Sequence, residues 1–389
     1  MKLSNLPKDI EEEILSRVPI KSLRLLRSAG KLWYHHPLFK DPRFIRRHSN
    51  RAPPRKYHEA IVLHDFRVQT MNSYVDRQNP VSELSLIDPV TNRKVEIAHA
   101  FHCDGLLLCT ATKDERFVAW DPFSGKTRWI QPPNHRSWLR WIMPSTRSCK
   151  IYALGYDNKE LCHSYKILRV MEDQTMEIYE FKSDSWRKLD GVSPCGSFDS
   201  LGVSLKGNAY WISRRGGGGA EEYSLLEFDF STERFQNLYL PFHEAECLGP
   251  YVLEEGLNNL ALSVVGEDRL CLFYESAEKS KTEIWMSTEI GEIGEIGETA
   301  SSVSWSKYLT VSATPFFTRH ASFFVDDEMK LATCFYNHER HRQCLSKVRV
   351  FGDVAAKKQF LMEDGTKYFG WRPPTACGPI VFGYLPCLD

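Results

Sequence analysis

The chain has 389 residues, 42% of them hydrophobic and 12% aromatic, and its 50 Lys and Arg equal its 50 Asp and Glu in number. This apolar content excludes a disordered chain and predicts a globular protein with a substantial core. The formal net charge of zero gives no global field toward nucleic acid or an acidic membrane, so we expect neither as a partner.

Three sequence features bear on the cellular location: the lack of a membrane-spanning run, the lack of a signal peptide and the pattern of cysteines. No apolar run approaches the roughly 20 residues that span a bilayer, and Met1 to Lys8 lack the apolar stretch of a signal peptide. The 11 cysteines are odd in number and show no paired spacing, which favours reduced thiols that mostly pack in the core. We therefore expect the protein in the cytoplasm, the nucleus or both.

The opening sequence LPKDIEEEILSRVPIKSLRLLRSAGKLW predicts two short amphipathic helices. In the first, Ile10, Ile14, Leu15 and Val18 recur at helical spacing and form one apolar stripe. Pro7 suits the first helical position. Acids near the start of this helix are stabilised by the helix dipole.

The second helix is predicted to begin after Ser22, a suitable N-cap, and it places Leu23, Leu26 and Trp33 on a common side. Isolated helices this short are marginal in water. The apolar surface of the pair therefore needs a partner.

A stretch without acids follows, in which basic residues surround a proline pair: Arg46, Arg47, Arg51, Pro53-Pro54, Arg55 and Lys56. The prolines favour an extended linker over a continued helix. We predict three parts of the chain, residues 1–48, a basic linker at 49–56, and a second domain at 57–389. The basic run could contact an anionic partner, but short charge runs are usually solvated, and we interpret it as a solvated linker.

Beyond the linker the sequence alternates strand and turn. The segments SLIDPVTNRKVEI and FVAWDPFSGKTRWI share one layout, in which an Asp-Pro turn separates two apolar runs. The aspartates can cap the turn, the prolines preset φ, and Asn or Gly tolerates a left-handed conformation. The residues in these roles are Asp88 and Asp121, Pro89 and Pro122, and Asn92 and Gly125.

Related units recur at irregular intervals in IYEFKSDSWRKL, LLEFDFSTERFQNL and LCLFYESAEKSKTEIWM. Repeated antiparallel units with an aromatic residue after the turn predict a β-propeller of about six blades. A β-sandwich is the alternative, although roughly 330 residues of continuous hairpins is long for one sandwich. The irregular spacing predicts loops of different length on one rim.

Two stretches predict loop tips that could read a target. Arg214 to Glu222, RRGGGGAEE, cannot hold regular structure cheaply, because glycine loses the most entropy on ordering. Glu289 to Glu298, EIGEIGEIGE, exposes four acids; we interpret it as a solvated loop, with a grip on a basic ligand as the alternative. Neither loop contains a recognisable binding motif, so the target-binding residues are unknown from the sequence.

Four residues of metal-ligand type lie close together in CFYNHERHRQC, namely Cys334, His338, His341 and Cys344. Structural zinc sites generally pair two close ligands with two distant ones, so we interpret this segment as a polar hairpin loop. No GxGxxG, GxSxG or Walker-type phosphate loop occurs in the chain. The sequence thus predicts no catalytic residue, no metal and no cofactor.

The opening segment resembles an F-box at Leu6-Pro7, Ile14-Leu15, Val18-Pro19, Lys21-Ser22-Leu23, Lys31, Trp33 and Asp41-Pro42-Arg43-Phe44. In that family the motif docks on a Skp-type adaptor, which joins it to a cullin scaffold that carries a RING subunit. The resemblance implies adaptor contacts by Leu6, Pro7, Ile10, Ile14, Leu15, Val18, Pro19, Leu23, Leu26 and Trp33. Ala29-Gly30 stands where the family usually has Val-Cys, and this loss of packing area predicts a weaker adaptor contact.

Phrases from residue 101 to the C-terminus resemble the F-box-associated domain of plant F-box proteins. They are FHCDGLLLC, WDPFSGKTRWIQP, YEFKSDSWRKLD, GVSLKGNAYWIS, LLEFDFSTERF, VSWSKYLTV and VFGYLPCLD. The resemblance implies a small all-α F-box, a target-binding all-β domain and a non-catalytic role as substrate receptor of a ubiquitin ligase. The alternatives are a binding protein outside any ligase and, less favoured, an enzyme built on a propeller.

Overall fold

The computed structural model describes residues 7–18, 44, 59–72, 82–112, 116–122, 124–133, 149–157, 164–171, 173–194, 196–198, 200–217, 220–241, 258–266, 268–276, 281–290, 303–312, 321–327, 330–340, 343–352, 358–361 and 380–383.

The first predicted helix is α1 (Lys8–Ser16), with acids in its first turn as expected. Pro7 precedes the helix instead of opening it, because its ψ of 141° is extended. Its carbonyl accepts hydrogen bonds from the amides of Ile10 and Glu11, both at 3.0 Å. Residues 19–43, with the second predicted helix and Ala29-Gly30, lie outside the described residues.

The strands in the first half of the chain are β1 (Glu59–His64), β2 (Arg67–Asn72), β3 (Ser82–Leu84), β4 (Ile97–Cys103), β5 (Leu106–Ala111), β6 (Phe117–Trp120), β7 (Thr127–Ile130), β8 (Cys149–Tyr156), β9 (Tyr165–Met171), β10 (Met176–Glu180), β11 (Ser185–Lys188), β12 (Ser197–Phe198) and β13 (Val203–Leu205). Those in the second half are β14 (Asn208–Gly217), β15 (Ala220–Asp229), β16 (Arg234–Leu238), β17 (Asn258–Val265), β18 (Arg269–Ser276), β19 (Lys281–Ser287), β20 (Trp305–Ser312), β21 (Ser322–Asp326), β22 (Leu331–Arg340), β23 (Gln343–Gly352), β24 (Lys358–Leu361) and β25 (Ile380–Gly383).

These strands form six antiparallel sheets in the described part of the chain. Blade 1 combines β25 with β1–β3, and blades 2 to 6 are β4–β7, β8–β11, β12–β16, β17–β20 and β21–β24. Four-stranded sheets that follow one another along the chain are the blades of a propeller. The predicted six-bladed β-propeller is therefore confirmed, and a single β-sandwich is excluded.

The C-terminal strand closes the ring. β25 pairs with β1 from Leu63↔Ile380 to Ala60↔Gly383, so the end of the chain completes the first blade. The amide of Val381 also donates to Ser322 Oγ in blade 6 at 3.0 Å. One short strand thus ties the first blade to the last.

The two Asp-Pro turns have the predicted chemistry. Asp88 Oδ1 accepts the amides two and three residues on, at 2.7 and 3.0 Å, and Asp121 Oδ1 accepts the amide three residues on, at 3.2 Å. Asn92 and Gly125 take the left-handed conformation, with φ of 53° and 70°. Their places differ, because the Asp121 turn joins β6 to β7 within blade 2, whereas the Asp88 turn lies between β3 and β4, in the link between blades.

The glycine-rich stretch is more regular than the sequence predicts. β14 runs through Gly217 and β15 starts at Ala220, so paired strands cover all of RRGGGGAEE except residues 218–219. The pairing continues through Arg215↔Glu222 and Gly216↔Glu221. Cross-strand hydrogen bonds offset the entropy that glycine loses.

The core lies between neighbouring blades. Trp211 and Phe228 of blade 4 pack with Leu154 and Ile178 of blade 3, and all four are at most 1% exposed. Between blades 5 and 6, the rings of Phe273 and Phe323 lie 5.6 Å apart. Four cysteines, Cys103, Cys109, Cys271 and Cys334, are buried and lie outside any disulfide, as predicted for thiols that pack in the core.

Candidate protein-binding surfaces

The predicted apolar stripe of α1 divides into two faces. Leu15 is 1% exposed and Glu11, one turn earlier, is 8% exposed, so they mark the buried face. Ile10 and Ile14 are 49% and 40% exposed, and their spacing of four residues places them together on the open face. Leu15 faces inward, one residue's rotation from Ile14, so the predicted stripe is buried along one edge and open along the other.

Of the ten residues predicted to contact an adaptor, Pro7, Ile10, Ile14, Leu15 and Val18 are described. Pro7 is exposed and Val18, just beyond the helix, is half-buried. Leu6, Pro19, Leu23, Leu26 and Trp33 lie outside the described residues. Adaptor contact by this set stays a prediction.

The propeller has two rims, defined by its turns. Because neighbouring strands run antiparallel, consecutive turns of a blade lie at opposite ends. One end of the propeller carries the turns that join the first strand to the second and the third strand to the fourth, and we call this end the lower rim. The upper rim carries the turns between second and third strands and the links between blades. On the lower rim, the amide of Ile290 donates to the carbonyl of Asp268 at 2.8 Å, and Lys206 Nζ donates to the carbonyl of Ile290 at 2.6 Å.

The two loops predicted to read a target lie on opposite rims. Arg214 to Glu222 joins the second and third strands of blade 4, on the upper rim. Glu289 and Ile290, the described start of the acidic loop, follow the third strand of blade 5, on the lower rim. Residues 291–298 of the acidic loop are outside the described residues. The expectation of a single rim was wrong, because similar turn sequences occupy different places within their blades.

Two hairpins project from the upper rim, and we call them the blade-4 arm (β14–β15) and the blade-6 arm (β22–β23). All four strands have ten residues. In blade 6 the pairs from Asn337↔Ser346 to Arg340↔Gln343 lie beyond the last partners of the flanking β21 and β24. The corresponding hairpin of blade 5 ends at Ser276↔Lys281, level with its flanking strands.

The blade-6 arm contains the four residues considered as zinc ligands. Its register pairs Cys344 with Glu339 and Cys334 with Arg349. Cys334 and Cys344 thus lie five strand positions apart, which is about 17 Å along the hairpin. Four ligands of one ion lie within a few ångströms of it, so this register is incompatible with the four-residue site. Among the described residues, no group of three or more His, Cys, Asp and Glu is placed to hold a metal ion.

Polar clusters in the described propeller join neighbouring blades. Arg116 Nη2 donates to Asp88 Oδ2 at 2.6 Å, and its guanidinium lies 4.3 Å from the centre of the Trp129 ring. The hydrogen bond from Arg116, with those from the turn amides, lowers the pKa of Asp88 to about 2. The link between blades 1 and 2 is therefore held by an ionised carboxylate.

Described residues of blades 2 and 4 come into contact beside the propeller axis. Ser204 Oγ, in the inner strand of blade 4, donates to Cys103 Sγ of blade 2 at 3.2 Å. A Cβ at Gly202 would stand 2.9 Å from the Phe101 ring and 2.3 Å from Trp211 Nε1. Blades 2 and 4 are not neighbours, so their inner strands meet across the centre.

No helix among the described residues has the length and hydropathy to cross a membrane. The fold and its surfaces together define a six-bladed β-propeller that is preceded by a helix with an open aliphatic face.

Residues 59–388 match the F-box associated beta propeller domain, and the chain belongs to the plant F-box proteins that carry this domain. It is 38% identical to F-box protein At2g07140 of Arabidopsis thaliana over 100% of this chain and 96% of that protein. It is 36% identical to F-box/kelch-repeat protein At3g44120 of the same organism, with the same two shares covered.

Proposed function

We propose that this chain is the substrate-recognition subunit of a ubiquitin ligase of the Skp-cullin-F-box type. In this proposal residues 1–48 dock on a Skp-type adaptor, which connects the chain to a cullin-RING scaffold. Residues 57–389 bind a target protein. The chain itself carries no catalytic step and no cofactor, and it acts in the cytoplasm or nucleus.

The observation that carries the proposal is the open aliphatic face of α1. Ile10 and Ile14 stand one helical turn apart and are about half exposed, while Leu15 anchors the helix from the other side. Binding of a partner that covers this aliphatic pair is favourable, because it removes apolar surface from water. Family membership and the names of the F-box relatives support a Skp-type adaptor as that partner.

The experiment is capture of a purified Skp-type adaptor by the full chain carrying Ile14→Asp. If Ile14 is covered in the complex, the new carboxylate must be buried without a partner, at a cost of several kcal/mol. We expect adaptor affinity to fall by about a hundredfold or more. The dissociation constant, measured by calorimetry, checks this.

Val90→Asp is the matched control. Val90 is another branched aliphatic residue, 84% exposed, but it lies in the Asp88 turn of the propeller. The same change of side chain at that position should leave adaptor affinity unaltered. Equal retention of the adaptor by the Ile14→Asp chain and the parent would show that this helix face is not the docking surface.

A further inference from the structure

A tyrosine lies exposed at the outer edge of the junction between blades 4 and 5. Tyr239 follows β16 and is 85% exposed, whereas its neighbours Leu238 and Leu240 are buried in the cluster that the two blades share. The carbonyl of Tyr239 accepts the hydrogen bond of Trp305 Nε1 from blade 5 at 2.9 Å. The main chain is therefore held in place around an aromatic ring that faces solvent.

Two tryptophans and a lysine of blade 5 continue the surface beside this tyrosine. Trp285 and Trp305 both pack against the cluster between blades 4 and 5. Lys307 pairs with Trp285 across the strands, and it stands two positions after Trp305, so it lies on the same face of β20. The ammonium of Lys307 lies 4.6 Å from the centre of the Trp285 ring. These contacts connect Tyr239 with Lys307 along the junction.

Lys307 shares a buried carboxylate with a second lysine. Glu283 is 8% exposed, and its Oε1 lies 2.6 Å from Lys281 Nζ and 2.9 Å from Lys307 Nζ, so the two nitrogens are at most the sum of these distances apart. The Oε2 of Glu283 accepts Trp285 Nε1 at 3.1 Å. Burial alone would raise the pKa of Glu283, but hydrogen bonds from the two lysines lower it below its ordinary value of 4.5, so the carboxylate is ionised.

One positive charge of this group is not offset. Two lysines contact one carboxylate, and Glu275, another buried acid of blade 5, accepts a hydrogen bond from Thr282 on the opposite face of β19. The side chains of Lys281 and Lys307 are 36% and 42% exposed, and each ammonium has three N–H donors, of which Glu283 uses one. An anion that bridges the two nitrogens would offset the remaining charge and the repulsion between them.

A comparable group in blade 1 is more exposed. Glu83 also contacts two cations, Lys94 at 3.1 Å and Arg67 at 3.8 Å, but through different oxygens. The side chains of these two cations are 66% and 59% exposed, and that of Glu83 is 34% exposed. Water and salt screen charges at such positions, so an anion gains less there than beside the buried Glu283.

We propose that Tyr239, Lys281 and Lys307 form a docking surface for an acidic segment of the target protein. A carboxylate of the target bridges the two lysines, and an adjacent apolar side chain packs on Tyr239. Charge complementarity favours this occupant, and tyrosine is a residue type that often dominates the energy of protein interfaces. The inference rests on the proposed function and deepens it by naming the chemistry of the target.

The test measures binding of a fluorescein-labelled peptide of Glu-Leu-Ser repeats to the purified full chain by fluorescence anisotropy. Lys307→Gln removes one bridging cation while Glu283 keeps Lys281 and Trp285, and we expect affinity to fall about fivefold. Tyr239→Ser removes the aromatic contact and should lower affinity about tenfold. A peptide of Gln-Leu-Ser repeats should bind no better than background. Raised salt should weaken the acidic peptide, because exposed charges are screened.

Each variant has a matched control. Lys94→Gln removes one of the two cations that contact Glu83, and Val90→Ser shortens an apolar side chain that is 84% exposed. Both controls should leave peptide affinity unchanged, and all four chains should unfold close to the temperature of the parent.

Three results would overturn the docking surface. They are equal losses of affinity in the controls, failure of the parent to bind the acidic peptide, and tighter binding of another anion than of this peptide. The other anions to compare are a single-stranded oligouridylate and a peptide of phosphoserine-Leu-Ser repeats, which would assign the lysines to nucleic acid and to a phosphorylated partner respectively.

Failure of this inference is separable from failure of the proposed function. The Lys307→Gln and Tyr239→Ser chains should capture the Skp-type adaptor as the parent does. The Ile14→Asp chain should bind the acidic peptide as the parent does. Loss of adaptor capture in the first two chains, or of peptide binding in the third, would contradict the separation of the two surfaces.

Discussion

At the scale of single residues, the tightest constraint lies where the inner strand of blade 3 meets blade 4. A Cβ added to Gly155 would stand 2.2 Å from the carbonyl oxygen of Gly207 and 2.2 Å from the Phe230 ring. The same carbonyl accepts the amide of Tyr156 at 3.1 Å. The hydrogen bond between the blades requires this close backbone approach, so the position accepts glycine alone.

Gly155→Ala should destabilise the propeller by about 3 kcal/mol, because a backbone oxygen cannot move aside as a flexible side chain would. The free energy of unfolding in urea measures the loss. Gly125→Ala is the control: its φ is +70° but nothing lies within 4 Å of an added Cβ. It should cost about 1 kcal/mol for the left-handed conformation alone. Equal costs for the two variants would contradict the close packing at Gly155.

At the scale of secondary-structure elements, one position in the turn between third and fourth strands joins neighbouring blades. Asp184 and Glu233 both occupy the left-handed residue of this turn, with φ of 54° and 57°. Asp184 of blade 3 accepts a hydrogen bond from Arg128 of blade 2 at 2.7 Å. Glu233 of blade 4 accepts one from Lys166 of blade 3 at 2.8 Å and another from Arg187. The turns thus hold blades 2, 3 and 4 in a row.

These contacts predict a pH dependence of stability. Burial alone would raise the pKa of Glu233, but hydrogen bonds from Arg187 and Lys166 lower it below its ordinary value of 4.5. The unfolded chain then binds the proton more readily than the folded one, so this stability is present above pH 4.5 and is lost as the pH falls below it. Glu233→Gln should lower the melting temperature at neutral pH and reduce its fall in acid. Glu289→Gln, at an exposed position, is the control and should change neither quantity. If the melting temperatures of Glu233→Gln and the parent fell in parallel as the pH is lowered, the contacts of Glu233 with Lys166 and Arg187 would not be the source of the pH dependence.

Aromatic residues after these turns show how far the sequence predicts such elements. Trp186 Nε1 donates to the carbonyl of Gln131 in the preceding blade at 2.8 Å, and Trp305 Nε1 donates to that of Tyr239 at 2.9 Å. The sequence predicts the turn and the aromatic residue, because both follow a local pattern. It does not predict the hydrogen-bond partner, because the partner lies on another blade and the residues around the turn do not indicate which one it is. The same holds for Asp88, whose cap was predicted and whose partner Arg116 was not.

The candidate surfaces divide in the same way. Ile10 and Ile14 were identified from helical spacing, but the inward turn of Leu15 depends on packing that periodicity does not contain. The blade-4 arm was not predicted, because its glycines indicate an irregular loop, whereas strand pairing extends almost to its tip. The segment of the blade-6 arm was predicted as a polar hairpin loop, and the sequence did not show how far its strand pairing extends. Blade number followed from the count of hairpins. The rim of each loop did not, since it depends on whether a turn follows the first, second or third strand of its blade.

At the scale of the whole molecule, the last described strand of the chain closes the ring of blades. β25 supplies the inner strand of blade 1, and Ile380 and Val381 are 3% and 7% exposed. β1 therefore has a partner on each side, β25 and β2. We therefore predict that the ring, whose first and last described strands pair with each other, folds without residues 1–56.

Two truncations test this closure. Residues 57–389 alone should give a folded propeller, because their core and ladder are intact, and residues 1–379 should not, because β1 and Ser322 lose their partners and an exposed strand edge favours aggregation. Thermal melts followed by circular dichroism, with size-exclusion chromatography, distinguish a cooperative monomer from aggregate. Residues 1–384, which keep β25, are the control for shortening the C-terminus and should melt with the full chain. Should residues 57–389 aggregate while residues 1–379 melt cooperatively, the opening segment and not β25 would be what completes the fold.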